Sequence, residues 1–175
     1  MREKKEKEKE KERGNKKMNE KEKEKVILNV IEKLKVTEPF SSNVTEIVLL
    51  PDLDLDAEKI KEIFKITDKK ILKEYENEVF VCTLCACYYK NKIALSQEQI
   101  EEFSEYYFEE MENNLQLVTF GFLIHEVSHF HGLEHNSEFS EKCKEILNMV
   151  LPYYEKHFGK VSKETVDKLW EKVIS

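Results

Sequence analysis

Residues 115–131, LQLVTFGFLIHEVSHFH, constrain the fold of this chain more than any other stretch. Leu117, Val118, Phe120, Phe122, Leu123, Ile124, Val127 and Phe130 leave no polar stripe at a helical period. A surface helix keeps such a stripe; a helix that is apolar on all sides has to be surrounded. The run is shorter than the roughly 20 apolar residues that cross a bilayer. The expectation is therefore a central, buried helix with the rest of the chain packed around it, ended by Gly132.

The rest of the chain must supply those surroundings, and part of it cannot. Of the 175 residues, 40% are hydrophobic and 37% charged, so much of the charge has to lie outside any core. Residues 1–25 hold 12 Lys/Arg and 8 Asp/Glu, with Met1 and Met18 as the only apolar side chains. A segment with nothing to bury stays solvated, so residues 1–25 read as a charged, disordered tail, with Met18 as an alternative start. Residues 26–175 form the domain, with 17 basic and 28 acidic residues. An acidic domain argues against a nucleic-acid-binding surface. The basic N-terminus is not followed by an apolar stretch, so it is no secretory signal. The expectation is a cytoplasmic protein with no membrane segment, its cysteines (Cys82, Cys85, Cys87 and Cys143) reduced.

Periodicity orders the domain. Val26, Ile27, Val30, Ile31 and Leu34 recur at helical spacing, stopping ahead of Pro39. Residues 44–50 read as a short strand, and Asp56 caps a helix with Ile60, Ile63 and Phe64 on its apolar face. Residues 78–89 and 92–95 read as a β-hairpin turning at Asn91. On a strand there, Cys85 and Cys87 would face one way and Cys82 the other, which favours buried thiols over a second metal site. Ser96 caps a helix bearing Ile100, Phe103, Tyr107 and Met111. After the central helix, Asn136 or Ser137 caps another, with Phe139, Cys143, Ile146, Leu147 and Val150 as its stripe and Pro152 as its end. Met149 falls inside that stripe as a core residue, and a final helix carries Val166, Leu169, Trp170 and Val173. The fold class is α+β, mostly helical, with a small sheet and a central helix.

That helix carries the chemistry. Four of the five histidines fall within residues 125–135, as His125-Glu126-x-x-His129, His131 and His135. Residues four apart on a helix share one face, so His125 and His129 can offer two imidazole nitrogens to one tetrahedral ion at about 2.0–2.1 Å. His135, past Gly132, can fold back as a third ligand. Three protein ligands leave one position for water, the arrangement of catalytic rather than structural zinc. Glu126 is displaced around the helix, where its carboxylate can take a proton from that water without binding the metal. The pattern predicts one Zn2+ per chain held by His125, His129 and His135, with Glu126 as general base in peptide-bond hydrolysis. Tyr153, Tyr154 and His131 are candidates for a second electrophile. The hairpin offers an edge strand on which an extended peptide substrate can pair. The alternative is a catalytically inactive, zinc-stabilised protein-interaction module.

The stretch 125–139 resembles zinc peptidases of the WLM, YgjP-like and SprT-like group, whose pattern is HExxH, five residues, a third His, three residues and Phe. His125, Glu126, His129, His135 and Phe139 match it without a gap. Lys92-Ile-Ala-Leu-Ser96 resembles the strand that enters the preceding helix in those proteins, and Leu151, Pro152 and Tyr153 resemble the ending of the helix that follows. The same residues also satisfy the metzincin pattern HExxHxxGxxH through Gly132, with Met149 as the only later methionine for a methionine turn. Both resemblances imply a zincin-like fold, the same ligands and the same base. The first also implies an association with proteins crosslinked to DNA, against which the acidic domain and the lack of a zinc ribbon argue.

Overall fold

The computed structural model describes residues 18–52, 80–81, 87–89, 92–131 and 135–174. Its first helix, α1 (Glu20–Leu34), buries Ile27, Val30, Ile31 and Leu34, the stripe that the spacing predicts. It begins ahead of the tail boundary at residue 25. Asn19 caps it by accepting from the Glu22 N–H, and Glu20 and Glu22 face the positive end of its dipole. Lys23 then reaches Glu101 at 3.4 Å, and Gln97 donates to the Glu20 carbonyl. Local capping and contact with a neighbouring helix thus order residues 20–25, which have no apolar side chain of their own.

A single turn, α2 (Phe40–Asn43), buries Phe40 and leads into β1 (Glu46–Leu50). The strands β2 (Phe80–Val81), β3 (Cys87–Tyr89) and β4 (Lys92–Ser96) complete a four-stranded sheet in the order β1-β4-β3-β2. β3 and β4 form the expected antiparallel hairpin, Tyr88 opposite Ile93, while β1 lies parallel to β4 with Ile47 opposite Ile93. One expectation needs correction. Residues 78–89 are not one strand, because β2 pairs back onto β3, Phe80 opposite Tyr88; an apolar run does not reveal where it reverses. The edge strand expected within residues 78–95 is β2, whereas β4 is interior. β4 sits between β1 and β3, with Ile93, Ala94, Leu95 and Ser96 all buried, as an interior strand requires. The sheet edges among the described residues are β1 and β2. Cys82, Cys85 and the helix expected after Asp56 lie outside the described residues.

Ser96 ends β4 and caps α3 (Gln97–Phe108), accepting from the Gln99 N–H. Because Ser96 is itself buried, its hydroxyl cannot be replaced there by water. Ser96→Ala is expected to cost about 1 kcal/mol in chemical denaturation. Along α3, Ile100, Ser104 and Phe108 are buried, with Phe103 and Tyr107 half-buried beside them, and the helix stops before Met111.

The central helix α4 (Asn114–Ser128) is buried from Leu117 onward, as its composition demands, and packs against α1, α3, β4 and both later helices. Its two buried hydroxyls, Thr119 and Ser128, donate to the carbonyls of Leu115 and Ile124 at 2.7 and 2.6 Å, so neither spoils the apolar surround. A 3-10 turn (His129–His131) tightens its end; Gly132 lies outside the described residues.

Helix α5 (Ser137–Phe158) starts at Asn136, whose side chain accepts from the Phe139 N–H. It corrects a second expectation by running through Pro152. Proline costs an interior hydrogen bond, but Pro152 is exposed. Beyond it Tyr154 continues the buried face of Phe139, Cys143, Ile146, Leu147 and Val150, and stacks on Phe120 with ring centroids 4.5 Å apart. Tertiary burial outweighs the local penalty. The helix ends instead at Gly159, whose φ of 97° suits a residue without Cβ. Met149 is exposed on α5 rather than in the core. The chain then forms α6 (Lys163–Leu169), capped by Ser162, which continues directly into a π-helical turn (Trp170–Ile174) with Val173 and Ile174 buried. Helices thus surround α4, with the small sheet to one side. No helix among the described residues is long and apolar enough to cross a membrane.

Candidate metal centre

Helical spacing delivers the first two imidazoles together. His125 and His129 occupy the last turn of α4 and the residue after it, both buried, with their Nε2 atoms 3.1 Å apart. The chain then returns so that His135, just ahead of the Asn136 cap of α5, places its own Nε2 3.1 Å from that of His125. The three rings meet at centroid separations of 4.8, 5.1 and 4.7 Å. Nitrogens bound to one tetrahedral ion at about 2.0–2.1 Å lie roughly 3.3 Å from each other. Two of the three nitrogen pairs are near this separation and all three ligand atoms lie within 4.8 Å of one another, so the cluster can hold a metal ion. His125 and His129 are buried while His135 is exposed, so the site meets solvent on the His135 side.

The tautomer of His125 is fixed by a main-chain group. Its Nδ1 lies 2.7 Å from the carbonyl oxygen of Ile174, which can only accept. Nδ1 therefore carries the proton, and in the neutral ring Nε2 presents its lone pair to the other histidines, as a ligating imidazole must. Burial keeps the ring neutral by lowering its pKa to about 4. The carbonyl of Ile174 pulls the other way, while His129 and His135 add to the lowering. Neutral imidazole with a held Nδ1–H is the form that binds metal.

Phe139, one turn into α5, touches all three rings. It stacks on His129 at a centroid distance of 4.5 Å and meets His125 and His135 near edge-on, each at 5.0 Å. The Asn136 cap fixes the first turn of α5 that carries it. Phe139→Ala is expected to destabilise the protein by about 3–5 kcal/mol, as for other buried aromatics cut to alanine, and to loosen the imidazoles. Urea denaturation reads the first effect and metal affinity the second.

Glu126, next to His125 on α4, is fully buried. Its negative charge reaches Cys143 on α5, whose thiol is pushed up to about 11. Burial is the main cause; a hydrogen bond with Ser128 opposes it and Glu126 adds to it. Cys143 is a buried free thiol. Of the three expected second electrophiles, Tyr154 is committed to the core between Phe120 and Phe158, where burial raises its pKa well above the ordinary phenol range. Tyr153 is half-exposed on α5, and the side chain of His131 lies outside the described residues.

Two contributors have no direct motif signal. Any residue offers a carbonyl, so nothing in the sequence marks Ile174, 49 residues after His125, as its partner. Phe139 is legible as part of an apolar stripe and as the last letter of the resemblance pattern, but nothing in the sequence places it against the imidazoles. Comparison of the chain with known family models, with curated proteins and with solved structures finds no match.

Proposed function

We propose that this chain is a zinc-dependent metallopeptidase of zincin-like fold, with His125, His129 and His135 as the zinc ligands and Glu126 as the general base. The observation that carries the reading is the convergence of three Nε2 atoms, each 3.1 Å from its neighbour across His125, beside a buried glutamate on the same helix. Three imidazoles suit zinc well among the divalent ions. Bound there, zinc supplies Lewis acidity, polarising a carbonyl and making water acidic enough to attack near neutral pH. Glu126 takes the proton from the attacking water at its carboxylate and passes it to the leaving amine. The Ile174 carbonyl holds the imidazole of His125 in one tautomer, and Phe139 keeps the three rings in a fixed relation. Protein or peptide is the substrate class, and a cytoplasmic setting agrees with the buried free thiol of Cys143.

Of the two families the motif resembles, the WLM, YgjP-like and SprT-like group is the better supported. Phe139, which its pattern includes, lies against all three imidazoles. A metzincin needs a methionine beneath the metal, whereas Met149 is exposed.

The burial of Glu126 favours a second reading, a zinc-stabilised interaction module that turns nothing over, because a general base must be reached by water and substrate. A peptide library incubated with the zinc-loaded protein separates the two. Defined cleavage sites by mass spectrometry, lost with a chelator and regained with zinc, support the peptidase. A chain that holds one zinc and cleaves nothing is the module.

A further inference from the structure

Gly121 stands one helical turn before His125, on the same face of α4. A Cβ built on it would lie 2.6 Å from Cγ1 and 3.2 Å from Cβ of Val173, and 3.0 Å from Cδ1 of Leu169. Val173 is β-branched and stiff at χ1, so it cannot swing its methyl aside; the whole terminal turn would have to move. Glycine weakens a helix interior relative to alanine, so its presence in a buried helix calls for a reason. The close approach of α6 and the π-helical turn supplies one. The residue after Val173 is Ile174, whose carbonyl accepts from His125 Nδ1 at 2.7 Å. One surface of α4 therefore sets two contacts in register, Gly121 against Val173 and His125 against Ile174. The terminal segment is held on other sides as well: Leu169, Val173 and Ile174 are buried, and Lys168 and Lys172 lie over the rings of Phe108 and Tyr107 at 5.1 and 5.6 Å.

We propose that Gly121 is a positioning residue for the metal centre, seating the C-terminal turn so that the Ile174 carbonyl orients His125 for metal. The inference rests on the zinc reading above and adds to it a determinant outside the HExxH motif. Hydrogen-bond partners behind a ligating histidine typically contribute 10- to 100-fold to metal affinity.

The test is zinc affinity by chelator competition on the full chain, with the absorption spectrum of the Co2+-substituted protein as a report on ligand geometry. Gly121→Ala should weaken zinc binding at least tenfold and alter the Co2+ spectrum. Gly121→Ala combined with Val173→Ala, which removes the methyl that Cβ would strike, should recover affinity to within about threefold of the parent. Val173→Ala alone, which loosens that contact without a clash, should stay within about threefold of the parent in zinc affinity, with a lower melting temperature. A chain ended after Val173 keeps the packing on Gly121 but loses the Ile174 peptide carbonyl. It should lose affinity at least tenfold; if Gly121→Ala does not fold, the double variant decides the matter. Parental affinity in Gly121→Ala, no recovery in the double variant, or full affinity in the shortened chain would each overturn the proposal. A parent protein that takes up no zinc overturns the zinc reading itself, a result separate from these.

Discussion

Replacing Glu126 with glutamine is expected to lower peptide hydrolysis by a factor of about 10² to 10⁴, the usual contribution of a positioned general base, while one zinc per chain remains bound. The two halves of this expectation come from different atoms. On the proposed reading the three imidazoles hold the zinc, and glutamine leaves those untouched. Glutamine also matches glutamate in volume and helix propensity, so a fully buried position on α4 accepts it without a cavity. What it lacks is a carboxylate able to take a proton. kcat/KM on a cleaved peptide, with zinc content by elemental analysis on the same preparation, checks the prediction. Undiminished turnover in the variant would remove Glu126 from the mechanism and point to a contaminating protease. Lost turnover with lost zinc would make the glutamate a structural support of the site.

How much of this was legible in the sequence depends on whether the deciding forces were local. The central helix was legible because an all-round apolar run has only one stable environment. The convergence of His125 and His129 followed from a four-residue spacing, which any helix turns into a shared face. Capping residues were equally local: Ser96 and Asn136 both accept from the N–H three residues on, as side chains at that position do. Errors arose where distant packing decided. Pro152 reads as a stop, yet the burial of Tyr154 and its stacking on Phe120 carry α5 past it. Residues 78–89 read as one strand because apolar content does not record a reversal, and the parallel pairing of β1 with β4 joins segments separated by more than 40 residues. Residues 20–25 read as tail because they bury nothing, although a cap and the pairing of Lys23 with Glu101 suffice to order them. Ile174 had no signal because its contribution is a carbonyl oxygen, placed by the packing of an entire terminal segment.

Zinc should stabilise the folded chain by an amount that depends on His135 and on pH. An ion that binds only the native state adds about 4 kcal/mol when present at a thousand times its Kd. Most of that increment should vanish in His135→Ala, where two buried imidazoles remain to hold the ion. Acid acts on the metal-free protein through a different group. His125 titrates near 4 when folded, because burial disfavours its charged form, against 6.5 as the ordinary value. Between those values the unfolded chain binds a proton that the folded chain refuses. This part of the stability is thus complete above about pH 6.5 and falls as pH drops towards 4, by about 3 kcal/mol in all. Zinc competes with the same protons, so its increment also shrinks on acidification. Urea denaturation from pH 4.5 to 7.5, with chelator and with zinc, separates the two effects. The acid-dependent loss in chelator should persist in His135→Ala at a somewhat smaller size, since burial, the main cause, remains while the charge of His135 no longer adds to it; the zinc increment should not persist. Equal zinc increments in parent and variant would exclude His135 from the ligand set, and a metal-free stability flat across this range would mean that His125 meets water in the folded protein.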